Sequence, residues 1–226
     1  MPAAELRLLE PIENLRLPAR YILFEAGDAL RHLYFPASGV VSFLHADKRG
    51  LMAEIAQVGA EGMIGVSALL GAERMRHRVV MQIGGVVYRV PVSVARRAFA
   101  QNGAFQLLAL GFAEALMQQL SQNVICKLSH SIEQQFCQRL LSCSDRAKDA
   151  ALEMTHEQMA EALGTRRQGI TELARKLQAL RVIAYSRGHV TVLERAALES
   201  YSCECYWVLR DAYRLVTGQT PPPMPD

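Results

Sequence analysis

The sequence predicts an α+β chain: an N-terminal β jelly roll, a long helix, and a C-terminal winged helix-turn-helix. Three observations carry that expectation. Short apolar runs separated by glycines fill residues 18–91, a helical apolar stripe follows from Ala104 to Leu128, and Thr155 to Leu177 reads as two short helices around one turn. The corresponding divisions are a β-domain over 1–103, a dimerisation helix with a connecting helix over 104–144, and a DNA-binding domain with a helical extension over 145–226.

In the first region, Arg20 to Glu25, Leu33 to Phe35, Val40 to Leu44, Met52 to Val58, Arg78 to Ile83 and Val86 to Val90 are candidate strands. Glycines at 27, 39, 50, 59, 62, 65, 71, 84 and 85 punctuate them. Regular short strands with turn signals point to a sandwich or jelly roll. The pattern then changes period. Leu107, Leu110, Leu116, Met117, Leu120, Val124 and Leu128 recur near heptad spacing, with Gln118, Gln119, Gln122 and Asn123 off the stripe. Such a stripe requires a partner. Either it packs wholly on its own β-domain, or it forms a two-fold seam between copies, which is the reading preferred here. A shorter helix from Ser131 to Ser142 leads through Asp145 to Asp149, the expected hinge.

Thr155 is placed to cap the next helix, with Gln158 three residues on to complete a capping box. Met159, Ala160 and Leu163 give that helix its apolar face, and Gly164 ends it where a positive φ is needed. A second helix, starting near Thr165 or Arg166, buries Ile170, Leu173 and Leu177. Its other face carries Arg167, Gln168, Thr171 and Arg175 outward, the geometry of a major-groove reader. From Gly164 to Leu193, six basic residues (Arg166, Arg167, Arg175, Lys176, Arg181, Arg187) stand against Glu172 alone, a local excess of +5 in a chain whose total is +3. That imbalance is the footprint of phosphate contact. Val182 to Ser186 and His189 to Leu193, split by Arg187-Gly188, form the wing hairpin.

Arg167 and Gln168 are the expected base readers, since Arg suits guanine and Gln suits adenine, with Thr171 as a third contact. Arg166, Arg175 and Lys176 are expected on phosphates, and Arg187 at the wing is a further expected DNA contact. Beyond the wing, Ala196 to Val216 reads as one helix, and Pro221 to Pro225 as a disordered tail.

At 226 residues, half of them hydrophobic, the chain can fill one large or two modest cores. It has no apolar run long enough to span a bilayer and no signal-peptide pattern at its start, so a cytoplasmic location without membrane contact is expected. Five cysteines (126, 137, 143, 203, 205) match no zinc-finger spacing and are read as thiols. On a single helix, Cys203 and Cys205 would diverge by about 200° and share no metal, so no metal site is expected. No nucleophile–base pairing or phosphate loop appears, which argues against an enzyme.

Gly27-Asp28 with Leu33-Tyr34-Phe35-Pro36 and Gly39-Val40-Val41-Ser42, then Gly62-Met63-Ile64-Gly65 with Leu69-Leu70-Gly71, resemble the Crp/Fnr family of bacterial transcription regulators. Together with the helix-turn-helix and wing, the resemblance covers nearly the whole chain. It implies a cyclic-nucleotide-binding-like β-domain and a homodimer on near-palindromic double-stranded DNA, with RNA polymerase as a further partner if the protein activates. Gly65, Val66, Arg76, His77 and Arg78 then fall in the effector pocket.

Departures from the family pattern remove cofactors from the expectation. Val66 stands where cyclic-nucleotide binders place the Glu that takes a ribose hydroxyl, and an unpaired polar ligand group costs about 1–3 kcal/mol. His77 follows Arg76 where a hydroxyl residue would hold the phosphate. No cysteine precedes Cys126, which removes the family's N-terminal iron–sulfur mechanism, and a lone His77 or His45 is a weak basis for haem. In the reading helix, Gln168 replaces a Glu and Glu172 a later Arg of the best-known forms, so their operator does not carry over. Two rival readings remain: a sensor acting through protein contacts, and a cupin-like metalloenzyme using His32, His45 and His77.

Overall fold

The computed structural model describes residues 1–48, 52–147, 151–216 and 218. The turn expected at Gly50, positions 148–149 of the expected hinge, and the Pro221 to Pro225 segment lie outside the described residues.

Seven strands build the β-domain: β1 (Glu13–Leu17), β2 (Ile22–Phe24), β3 (His32–Pro36), β4 (Val40–Ala46), β5 (Met52–Val58), β6 (Arg78–Ile83) and β7 (Gly85–Pro91). They pair antiparallel in two sheets, β1-β7-β3 and β2-β6-β4-β5. Two short helices, α1 (Ala3–Arg7) and α2 (Val92–Phe99), flank the roll. Neither helix was expected from sequence, nor was β1, whose Glu13-Asn14-Leu15-Arg16 is mostly exposed and alternates weakly. The other six strands coincide with the expected runs to within a few residues.

Strand alternation decides what each sheet face meets. On β4, Val41 and Phe43 point into the roll, while Val40 joins the second core beneath the DNA-binding part. One irregularity changes the parity of β5. Phe43 pairs with Ala56 and Leu44 with Glu54, leaving Ile55 as an extra residue. The bulge turns Glu54 to the outer face, as such insertions re-aim side chains. The carbonyl of Ile55 accepts a 2.8 Å hydrogen bond from Asn123 Nδ2.

The long helix α3 (Ala104–Ser129) is followed by α4 (Ile132–Ala147). The expected apolar stripe divides in two. Leu116 and Leu120 pack on the β-roll core, whereas Leu107, Leu110, Met117, Val124 and Leu128 face solvent. Leu107, Met117 and Leu128 are 68%, 60% and 79% exposed, a bare seam along one face. Helix α4 does not end at Ser142 and does not loosen into a hinge at Asp145. It continues to Ala147. Asp145 is fixed by Tyr206, whose hydroxyl donates to it at 2.7 Å, and by Arg195 at 2.8 Å. Phe136, Leu140 and Leu141 share a core with Met159, Ile170 and Leu177, so α4 packs with the DNA-binding unit.

That unit comprises β8 (Ala151–Glu153), α5 (His156–Leu163), α6 (Arg167–Ala179), β9 (Ile183–Ser186) and β10 (His189–Val192). The wing has three strands in the order β8-β10-β9, one more than the hairpin expected from sequence. Residues 196–216 are not one helix: α7 (Arg195–Ser200) stops, and α8 (Cys205–Val216) starts after a turn. Helix α8 returns antiparallel along α3, with Tyr213 hydroxyl donating to Gln119 Oε1 at 2.8 Å and its ring 6.1 Å from that of Phe112.

A buried ion pair fastens the DNA-binding unit to the roll. Arg139 of α4 pairs with Glu54, which also accepts from the Ser42 hydroxyl. Both partners are almost fully enclosed. Removing one side of a buried pair costs about 3–5 kcal/mol because the other is left charged and unpaired. Glu54→Ala should lose stability of that order in urea denaturation, and Glu54→Leu combined with Arg139→Met should recover most of the loss.

Candidate nucleic-acid interface

The capping box forms as the sequence predicts: Gln158 N donates to Thr155 Oγ1 at 3.2 Å, and Thr155 N donates to Gln158 Oε1 at 2.7 Å. Gly164 adopts φ +66° at the end of α5, and Thr165 N closes back on the Ala160 carbonyl at 2.9 Å. A side chain at that φ would strain the turn. The second helix begins at Arg167, with Arg166 as its extended cap residue. Ile170, Ala174 and Leu177 are buried beneath it. Arg187 and Gly188, at φ +49° and +84°, form the two-residue turn between Ser186 and His189, the signature of a type I′ hairpin.

Arg166, Arg167, Gln168, Arg175, Lys176 and Arg187 are all exposed. Arg167 is 69% exposed and only 3.8 Å from Glu157, a loose surface pair of small energetic value. Gln168 Nε2 donates to Glu172 Oε1 at 3.0 Å. Among the described residues, Arg166, Arg175 and Arg187 make no ion pair. Arg181, counted in the basic excess, is also exposed.

Two expected contacts are engaged within the fold. Thr171 is half-buried, its Oγ1 3.0 Å from both the Arg167 carbonyl and His156 Nδ1, so it braces α6 against α5 and does not present a free hydroxyl to a base. Lys176 Nζ donates to both oxygens of Glu133 at 2.7 and 2.8 Å, a pairing that raises its pKa and must open before the ammonium meets a phosphate. Glu133 lies in the first turn of α4, a partner that no local pattern reveals.

The expected effector residues come together only in part. Gly65, Val66, Arg76 and His77 line a cavity of about 150 Å³ with Phe43, Ile55, Met75, Leu116 and Leu120. Arg78 leaves this group, pairing with Glu25 at 3.5 Å and lining a different cleft. No carboxylate borders the cavity, and its volume is below the roughly 300–1,000 Å³ usual for ligand pockets. His45 and His77 meet edge to face at 5.4 Å, while His32 lies beside Tyr34, so the three do not converge as a cupin metal site requires.

A polar outer helix-turn-helix surface, a basic reading helix and a hairpin wing on a β-roll define a DNA-binding regulator. Residues 14–102 match the cyclic nucleotide-binding domain and residues 134–201 the Crp-like helix-turn-helix domain. No curated protein sequence matches the chain. FixK2 from Bradyrhizobium japonicum superposes with a TM-score of 0.72 at 12% identity, covering 85% of this chain and 98% of that one. TTHB099, a CRP-family transcriptional regulator from Thermus thermophilus, gives 0.71 at 18% identity over 83% and 96%. CLP, the c-di-GMP responsive global regulator of Xanthomonas campestris, gives 0.68 at 16% over 84% and 99%. The chain belongs to the Crp/Fnr family, a family of transcription regulators and not of enzymes. Among the described residues, no helix is long and apolar enough to cross a membrane.

Burial lowers the pKa of His77, with His45 adding to the shift, and lowers that of His156, with Arg167 and Arg175 adding. Both side chains therefore bind protons more readily when unfolded. Their contribution to stability is complete above the ordinary pKa of 6.5 and declines as pH falls below it. Thermal midpoints recorded on either side of pH 6.5 should fall on the acid side, and His77→Gln should reduce that fall.

Proposed function

We propose that the protein acts as a homodimer on a near-palindromic duplex site, with Arg167 and Gln168 reading bases in successive major grooves. The observation that carries this reading is the exposed outer face of α6, where both side chains stand clear of the core. Arg166, Arg175 and Arg187 supply phosphate contacts around them, and Lys176 joins once it leaves Glu133. Exposed residues 107, 110, 117, 124 and 128 on α3 recur at heptad spacing and support the two-fold seam. The reading places the protein in the cytoplasm, makes RNA polymerase a further partner only for an activating role, and includes neither cyclic nucleotide nor haem.

Selection of bound sequences from a random DNA pool should return inverted half-sites about one helical turn apart. Gln168→Ala should relax preference at one base position per half-site, whereas Arg175→Ala should weaken all sequences alike and reduce the slope of log affinity against log salt by about 1 per half-site contact. Equal losses by both variants on selected and random DNA would refute the division of roles. Met117→Glu places a charge in the bare seam and should yield monomers in sedimentation, with operator affinity lost in parallel.

A further inference from the structure

The turn that splits residues 196–216 brings together four side chains. Cys126 and His130 lie four residues apart on one face at the end of α3, with His130 as its cap residue. Cys205 opens α8, and Cys203 precedes it in the turn. The premise that kept these two thiols apart, a single helix carrying both, does not hold. Three sulfur atoms and an imidazole nitrogen lie within 4.8 Å of one another. Cys126, Cys203 and Cys205 are buried, forming a small cluster separate from both main cores.

We propose that Cys126, His130, Cys203 and Cys205 form a closed tetrahedral site for one thiophilic divalent cation, zinc by preference, that ties the start of α8 to the end of α3. The spacings are those of a mononuclear site. Around tetrahedral zinc, with sulfur at about 2.3 Å and nitrogen at about 2.0–2.1 Å, adjacent ligands stand about 3.8 Å apart for two sulfurs and about 3.6 Å for sulfur and nitrogen. Cys126 Sγ lies 3.6 Å from Cys203 Sγ, and Cys205 Sγ 3.5 Å from His130 Nδ1. An iron–sulfur cluster would place its own iron and sulfide atoms between the thiolates and needs a wider nest. A disulfide needs the sulfurs at about 2.05 Å, far inside the separation found.

The surrounding groups match what a metal site requires of them. His130 Nε2 lies 3.1 Å from Glu204 Oε1, so the carboxylate holds the ring with Nδ1 turned inward. Gln122 Nε2 donates to Cys205 Sγ at 3.1 Å, stabilising a thiolate there. Three soft sulfur donors with one imidazole select zinc over the hard cations. Four protein ligands fill the tetrahedron, so the ion holds structure and leaves no open position for chemistry. Binding displaces thiol protons to solvent and transfers no electron. Since α4 begins two residues after His130, the ion sits at the joint between the seam helix and the DNA-binding unit.

The test uses the full chain purified under reducing conditions. Elemental analysis should find one zinc per chain, and cobalt(II) added to chelator-stripped protein should saturate at one equivalent with visible bands of tetrahedral geometry and a sulfur-to-cobalt charge-transfer band. Cys203→Ser and His130→Ala should lose the stoichiometric ion. Glu204→Gln, at a largely exposed position that leaves the core intact, should weaken metal affinity about 10–100-fold. Cys137→Ala, in the other core, should leave the stoichiometry unchanged. Stripped, reduced protein with all five thiols titratable and no cobalt spectrum would overturn the proposal. So would a Cys126–Cys203 disulfide in place of metal, an iron and sulfide content, or an unchanged affinity in Glu204→Gln.

Discussion

The Glu54 carboxylate, lodged between a strand of the β-roll and the first helix of the DNA-binding unit, is the charge around which the two halves are arranged. Both it and Arg139 are almost fully enclosed, and the guanidinium keeps Nε and one terminal nitrogen without a protein partner. A cavity of about 40 Å³ borders both residues together with Gln57, Gln119 and Asn123. That is room for ordered water, the usual remedy for such orphaned donors. A polar, incompletely satisfied joint specifies one docking pose at some expense of stability.

Helix α3 meets two different neighbours and solvent, and its sequence is divided accordingly. Leu116 and Leu120 serve the roll, Gln119 and Cys126 serve α8, and Leu107, Met117 and Leu128 are left bare. A helix packed on two sides is held firmly in place, because packed interiors have little slack. Arg146 extends the same bracing at the other end of α4, donating to Glu61 at 2.6 Å and lying over the Tyr213 ring. The roll is therefore braced against the DNA-binding unit and its C-terminal helix through both α3 and α4.

The parts legible in the sequence are those governed by neighbours a few residues apart. Thr155, Gln158 and Gly164 announce the turn because capping and positive φ are local requirements, and Arg187-Gly188 announces the wing for the same reason. Exposure of Arg167 and Gln168 follows from helical period alone. What stayed hidden depends on distant partners. Glu133 claims Lys176 across 43 residues, and His156 engages Thr171 across 15. The stripe on α3 could not reveal which members face the roll, since one heptad pattern serves either surface. Residues 200–203, Ser-Tyr-Ser-Cys, are poor helix formers and carried the signal that the C-terminal helix breaks. Cys126 and His130 at i, i+4 carried another.

The bulge at Ile55 makes position 54 depend on how many residues separate it from Ala56. Alternation within a strand is a matter of odd and even. Deleting Ile55 would restore regular pairing and leave the carboxylate on the outer face opposite Leu44, whereas drawing Ile55 into the ladder against Leu44 would swing it inward among the valines of the roll, abandoning Arg139. What aims Glu54 at Arg139 is therefore the register in which Leu44 meets it, one residue beyond the extra one.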